Sequence, residues 1–296
     1  MSLAPSPLRH IQAALRHLNP NEVRRLSERD FTIGLLVSDD RLYRAMSRFL
    51  LPAGLSDRKA RQAGRFALRV ESEQDCERCD FGLAEPALER PAHFYPFDPE
   101  RQGPVVGEIL DERPELWVAL ARHFVAFRKA VVSRVIRKIA RENAVFTMAT
   151  ALPSAVWPLL GLPWSVGEFA SDTAFLTMNQ IRMTFLLAAA SDAPVGYLEQ
   201  RGQIASVITS AFGWRALARE LCGKIPLGGG MVSKAAVAYA GTCVLGLGLE
   251  RYLRLGRHLT AEEKREQYTR AYQQGRKLVE EMAGRLRDGA VLFRGR

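Results

Sequence analysis

Asn143 to Gly167, twenty-five consecutive positions without a charge, constrains this chain more than any other stretch, because Pro153, Pro158, Gly161 and Pro163 interrupt it. About 20 apolar residues suffice to cross a hydrocarbon core, so length alone permits a span. Each proline removes a backbone donor and crowds the preceding turn, which excludes a straight spanning helix. Two readings remain: a bent hairpin or short re-entrant turn with Trp157 and Trp164 at an interface, or an elbow buried in a soluble bundle.

The stretch continues as a helix over Glu168 to Ser191. Its polar members Glu168, Asp172, Asn179 and Arg182 recur at steps of four, seven and three and so share one face, while the rest is apolar nearly all round. Such a stripe must face other helices or a wet cavity. The spacing points to interhelical glue, with Lys234, Arg215 or a neighbouring copy as partners; a catalytic pair, Glu168 with Asp172, is the enzymatic alternative, and no nucleophile or cofactor motif accompanies it. A helix over Gln203 to Cys222 follows. The Gly-rich run Ile225 to Leu249 comes next, with a helix expected over Lys234 to Glu250. Its small residues Ala238, Gly241, Thr242, Gly246 and Gly248 permit close helix approach, and Ala238, Gly241 and Gly246 are the candidate self-association surface.

Cations border this apolar block. A helical pattern starts at Pro114 and runs to about Asn143, with Leu116, Trp117, Leu120, Phe124, Phe127, Val131, Val135 and Ile139 on one side. Arg128, Lys129, Arg134, Arg137, Lys138 and Arg141 lie on the other, with no acid between Glu115 and Glu142. Arg251, Arg254 and Arg257 form a second basic flank. The net charge of +10 points to a polyanion, whether anionic lipid, an acidic protein or nucleic acid. Near anionic lipid each cation is worth about 1 kcal/mol, so these six side chains are the candidate membrane-facing surface.

The front of the chain reads differently. Leu8, Ile11, Ala14, Leu15 and Leu18 give a short amphipathic helix over residues 7 to 18, ended by Asn19-Pro20-Asn21. Phe31 to Val37 reads as a buried strand, then Ser38-Asp39-Asp40 starts a helix carrying Leu42, Tyr43, Met46, Phe49 and Leu50. Strand, turn, helix is how a nucleotide-binding unit opens, but this turn has no glycine and no Lys, and it sets two carboxylates where a phosphate would lie. Nucleoside triphosphate binding is therefore not expected. Arg65 to Glu71 and Phe81 to Ala84 are further strands, and Pro91 to Pro104 is a Pro-rich aromatic loop.

Two motifs in this region are lookalikes. Cys76-Glu77-Arg78-Cys79 has the spacing of a redox or zinc pair, but no second pair or nearby His completes four ligands. Asp80-Phe81-Gly82 matches the kinase magnesium segment, without the Gly-rich loop, strand Lys or catalytic loop that a kinase places before it. No metal and no cofactor are expected. Four cysteines in a chain of this length fit a reducing compartment, and the first residues carry no secretory pattern. At the other end Thr260 with Glu263 forms a capping box opening a charged helix to about Arg287.

Asn143-Ala144, Ala151-Leu152-Pro153, Asp172, Leu176-Thr177, Asn179-Gln180 and Ile225-Pro226-Leu227-Gly228-Gly229 together resemble the YcjF-like family (domain of unknown function 697), over about residues 128–252. The resemblance implies a bacterial helical domain, membrane-associated and often preceded by a small GTPase domain; it implies no catalytic residues. Residues 30–100 then resemble a GTPase-like fragment without its phosphate loop. The expected fold is mainly α, a small degenerate α/β unit followed by a larger apolar helical domain. The expected divisions are 1–29 (helix), 30–103 (α/β unit), 104–142 (basic linker helices), 143–259 (apolar domain) and 260–296 (charged helix and tail). The function expected is a non-enzymatic, self-associating scaffold or accessory protein on the cytoplasmic side of the inner membrane, with an anionic membrane surface and a GTPase or other protein as partners. The alternative is a soluble adaptor for an acidic protein or nucleic acid.

Overall fold

The computed structural model describes residues 18–150, 172–208 and 231–294. The fold is mainly α with one small four-stranded parallel sheet. The chain divides into two compact units, one of residues 21–133 and 188–195, the other of residues 1–20, 134–187 and 196–296. The expected helix over residues 7–18 lies, but for Leu18, outside the described residues, as do Glu168 and residues 209–222 of the expected Gln203 to Cys222 helix.

The first unit begins with helix α1 (Pro20–Ser27). Asn19-Pro20 reads in the sequence as a stop, yet Pro20 opens this helix, where the missing N–H costs nothing. The order then is β1 (Ile33–Leu36), α2 (Asp40–Leu50), α3 (Asp57–Gly64), β2 (Ala67–Val70), α4 (Glu73–Glu77), β3 (Phe81–Ala84), β4 (Phe94–Pro96) and α5 (Gln102–Glu112). The sheet runs β2-β1-β3-β4, with Ile33 opposite both Ala67 and Phe81, and Gly82 opposite Phe94.

Both faces of the sheet are covered, as parallel sheets require. Ile33, Leu35, Phe81 and Leu83 are buried on one face; Leu36, Val70, Ala84 and Phe94 pack with Cys76 and Cys79 on the other. Strand β4 falls inside the expected aromatic loop. Its three residues and Pro96 hide it in the sequence, and Pro is tolerated there because β4 is an edge. Gly34 and Gly82 exist for this strand: a Cβ on either would run into the Phe94 ring.

The helical pattern from Pro114 is broken. A 3-10 turn (Pro114–Leu116) leads to α6 (Trp117–His123), Phe124 takes an extended conformation (φ −121°, ψ 114°), and α7 (Val125–Ala149) starts afresh. The break lets the Phe124 ring pack edge-on against Phe31 and Phe127, and its burial is complete. Residues 104–133 are therefore part of the α/β core rather than a linker, with Ile109, Leu110 and Phe127 fully buried.

The second unit is built from the later part of α7, α8 (Asp172–Ala190), a helix over residues 201–208 (α9), α10 (Met231–Leu255) and α11 (Ala261–Arg294). Phe146 stacks on Phe175 at 3.8 Å and Asn143 meets Asn179, so α7 and α8 run antiparallel. Asn143 also meets Thr242 while Ile136 lies against Gly246, which makes α10 antiparallel to α7 as well. The C-terminal end of α7 and the N-terminal ends of α8 and α10 therefore lie at one end of this bundle. The capping box opens α11 as expected: Glu263 N–H donates to Thr260 Oγ1 at 3.2 Å and Thr260 N–H donates to Glu263 at 2.8 Å. Helix α11 then runs past Arg287 to Arg294.

Candidate functional site

In an open parallel sheet, ligands lie beyond the carboxyl ends of the strands where the order reverses, which here is between β1 and β3. Ser38 follows β1 and Glu85 follows β3. The Ser38 N–H donates to Glu85 Oε2 at 2.9 Å and its hydroxyl donates to the same oxygen at 2.7 Å. Asp39, as the N-cap of α2, accepts from the Arg41 N–H at 2.9 Å. The donors that a phosphate would need are thus engaged by the chain's own carboxylates. Asp40 is held by Arg69 at 2.8 Å.

The two lookalike motifs have structural duties. Asp80 accepts from the Thr32 N–H at 2.7 Å and Phe81 is fully buried. Cys76 and Cys79 are buried free thiols in the apolar cluster beneath β3 and β4. Burial, with Cys76, Asp75 and Asp80 nearby, pushes the Cys79 thiol up to about 11, so the thiolate needed for redox or metal chemistry is suppressed. Among the described residues no three His, Cys, Asp or Glu side chains gather as a metal site. A cleft of 390 Å³ lined by Asp30, Phe31, Arg65 and Asp80, and another of 310 Å³ beside Tyr95, Glu108 and Glu112, open on this unit. Tyr95 donates to Glu112 at 2.7 Å, and burial, with that bond, pushes the Tyr95 hydroxyl up to about 12.

The expected stripe on α8 turns inward in part. Asn179 is buried and donates to Asn143 Oδ1 at 3.0 Å; Asn143 donates to Thr242 at 2.9 Å, and Gln180 donates to the same hydroxyl at 3.3 Å. Thr242 Oγ1 donates in turn to the Ala238 carbonyl at 2.8 Å. This ring of uncharged polar groups ties three helices at one level and was not assembled from the sequence, where Asn143, Gln180 and Thr242 sit far apart. Arg182, expected to meet the acids Glu168 and Asp172 of a neighbouring copy, pairs with Glu142 of its own chain at 3.4 Å. The Asp172 side chain and Glu168 lie outside what the structure describes.

The basic surface needs one correction. Arg128 is half-buried and donates to the carbonyls of Ala190 at 3.0 Å, Ala121 at 3.3 Å and Arg122 at 3.5 Å, capping the ends of α6 and α8. Its role is structural, and burial lowers its affinity for a proton only from a very high starting point. Arg134 is half-buried, whereas Lys129, Arg137, Lys138 and Arg141 are exposed. The second flank is partly neutralised: Arg251 pairs with Glu263 at 2.5 Å and Arg254 with Glu250 at 2.6 Å.

The small residues of α10 are used inside the chain. Gly241 and Gly246 are buried, Ala238 half-buried, and a Cβ at Gly246 would press on Ile136. They are thus not an open surface for a second copy. Among the described residues α10 is the one helix long and apolar enough to cross a membrane, and 56% of its most apolar window is buried in protein. Helix α11, rich in Glu, Lys and Arg, lies along it from Arg251–Glu263 to the close approach of Tyr239 and Gly275. Lipid around α10 would therefore have to accept those charges too.

Fold and site together define a mainly helical protein with a small parallel α/β unit whose turn after β1 is closed by its own acids. Comparison of the chain with protein-family models, with curated proteins and with solved structures finds no match.

Proposed function

We propose that this chain is a non-enzymatic helical scaffold that binds the cytoplasmic face of the inner membrane peripherally, its helical unit meeting the bilayer end-on. The observation that carries the reading is the shared end of α7, α8 and α10. The uncharged run Asn143 to Gly167 begins on the last turns of α7, and the run Ile225 to Ser233 leads into α10, so both uncharged runs are anchored at that end. Exposed Arg137, Lys138 and Arg141 lie along α7 on the approach to it, where anionic headgroups attract Lys and Arg. The kinship of residues 128–252 to the YcjF-like family, a GTPase or other protein partner and self-association belong to the same proposal. The α/β unit in this reading is a binding or spacing module, since Glu85 and Asp39 hold the turn that a nucleotide would use.

Membrane fractionation with a carbonate wash tests it. The protein is expected in the membrane fraction and released by carbonate; a protein wholly in the soluble fraction that also ignores anionic vesicles would sink the reading. A second reading, a soluble adaptor for nucleic acid or an acidic protein, is favoured by the sheathing of α10 by α11. Salt-sensitive capture by nucleic acid, without vesicle binding, is its signature.

A further inference from the structure

The two ends of the sheet treat their charges differently. At the carboxyl end Glu85, Asp39 and Asp40 are each engaged, by Ser38, the Arg41 N–H and Arg69. At the amino end, the segments that enter β1, β2 and β3 bring Asp30, Arg65 and Asp80, together with Thr32, to one cleft of 390 Å³. That volume lies within the range of small-ligand sites, about 300–1,000 Å³. Asp30 and Arg65 carry opposite charges and line the same cleft, yet among the described residues neither has an ion pair.

The Arg65 guanidinium instead lies over the Phe66 ring, 5.2 Å from its centroid. A stacked guanidinium keeps its N–H edge available to a carboxylate. Asp80 is fixed by two bonds across the strand ends: the Thr32 N–H donates to its Oδ2 at 2.7 Å, and its own N–H donates to the Thr32 carbonyl at 3.0 Å. Its second carboxylate oxygen and the Thr32 hydroxyl are left uncommitted. The floor beneath them is rigid. Phe31 and Phe66 stack at 4.7 Å, Phe66 meets His123 at 4.5 Å and Phe31 meets Phe124 edge-on at 6.1 Å, which ties the backbone carrying Asp30, Thr32 and Arg65 to the core of the unit. A lone anion entering the cleft would meet two acids, and a lone cation would meet Arg65. A ligand bearing both signs on neighbouring atoms satisfies all three charges.

We propose that this cleft binds a free α-amino acid, its carboxylate on the Arg65 guanidinium and its ammonium shared by Asp30 and Asp80, with the Thr32 hydroxyl beside them. The assignment goes beyond the membrane reading and does not depend on it. It gives the α/β unit a ligand at the end of the sheet opposite to the closed turn.

Calorimetric titration of the full chain with each of the common L-amino acids at millimolar concentration tests it. At least one is expected to bind. Its N-acetyl derivative, which lacks the ammonium, and its amide, which lacks the carboxylate, should each bind about 10- to 100-fold more weakly, the loss that goes with hydrogen bonds to charged groups. D30N and R65Q should weaken the unmodified amino acid by a similar factor and leave the thermal melt of the chain nearly unchanged, because both side chains are exposed and hold no ion pair. If none of the amino acids binds, the assignment is overturned, whatever the protein does with membranes. Binding that is indifferent to both substitutions places the ligand elsewhere and overturns it as well. So does an N-acetyl derivative that binds as tightly as the amino acid itself, since the site would then recognise a carboxylate alone.

Discussion

In the α/β unit the turn polar groups are answered by ionised side chains near the surface: Glu85 takes two bonds from Ser38, Asp80 takes the Thr32 N–H, and Asp192 draws Lys59 to 2.7 Å and Arg122 to 3.7 Å. In the helical unit they are answered by amides and hydroxyls in the middle, with Asn143, Asn179, Gln180 and Thr242 all buried. The difference follows from what each can afford to desolvate. A carboxylate near the rim keeps part of its water, whereas a charge at the level of Thr242 would lose nearly all of it. Neutral amides fix the helix register at much smaller cost.

Breaking the amide ring should therefore have the largest effect. Asn143→Leu strands the buried Asn179 amide and is expected to cost about 3 kcal/mol in chemical denaturation. Pairing it with Asn179→Leu should recover most of that loss, because removing both partners leaves no unsatisfied group. Equal destabilisation by the single and double variants would mean that the ring is not the unit argued for here.

The two units also differ in how they use glycine. Gly82→Ala drives a methyl into the rigid Phe94 ring and is expected to cost about 2–3 kcal/mol, whereas Gly246→Ala meets the Ile136 branch at a looser 2.7 Å and should cost about 1–2 kcal/mol. Thermal melts of the two variants test the order. A reversed order would show that the sheet yields more readily than the helix seam.

These contacts also mark where the sequence stopped being legible. The strands at Ile33, Ala67 and Phe81, the closed turn at Ser38-Asp39 and the capping box at Thr260 were readable because each is set by neighbours within a few residues. Strand β4 and the break at Phe124 were not, since each depends on distant rings: Phe94 needs Gly34 and Gly82, and Phe124 needs Phe31. The candidate cations show the same limit. Arg128 and Arg137 look alike in a helical pattern, and only the carbonyl of Ala190, sixty-two residues away, turns one of them into a cap.

A smaller effect separates the units by pH. His123 stacks near Phe66 at 4.5 Å, and burial, then the Arg122 charge, hold its pKa below the usual 6.5; Arg65 adds to this while Asp192 and Asp30 oppose it. The unfolded chain therefore takes up the proton first. The stability that His123 contributes is complete above about pH 6.5 and is lost as pH falls through the lower, folded value. The slope is at most about 1.4 kcal/mol per pH unit, and His123→Phe should flatten this part of the curve. An unchanged profile in the variant would assign the acid sensitivity to carboxylates.

The smallest expected change in stability bears most directly on function. Glu85→Gln keeps an acceptor for Ser38 and removes only the charge, so a loss of about 0.5 kcal/mol is expected. It should not create a nucleotide site. Asp39 still occupies the N-cap of α2, the turn still lacks glycine to wrap a phosphate, and there is no Lys between Val37 and Arg41 to meet one. Calorimetric titration of the variant with guanine and adenine nucleotides should show no binding. Binding in the variant but not in the parent chain would mean that Glu85 alone keeps the turn closed, and the α/β unit would then be a gated nucleotide site.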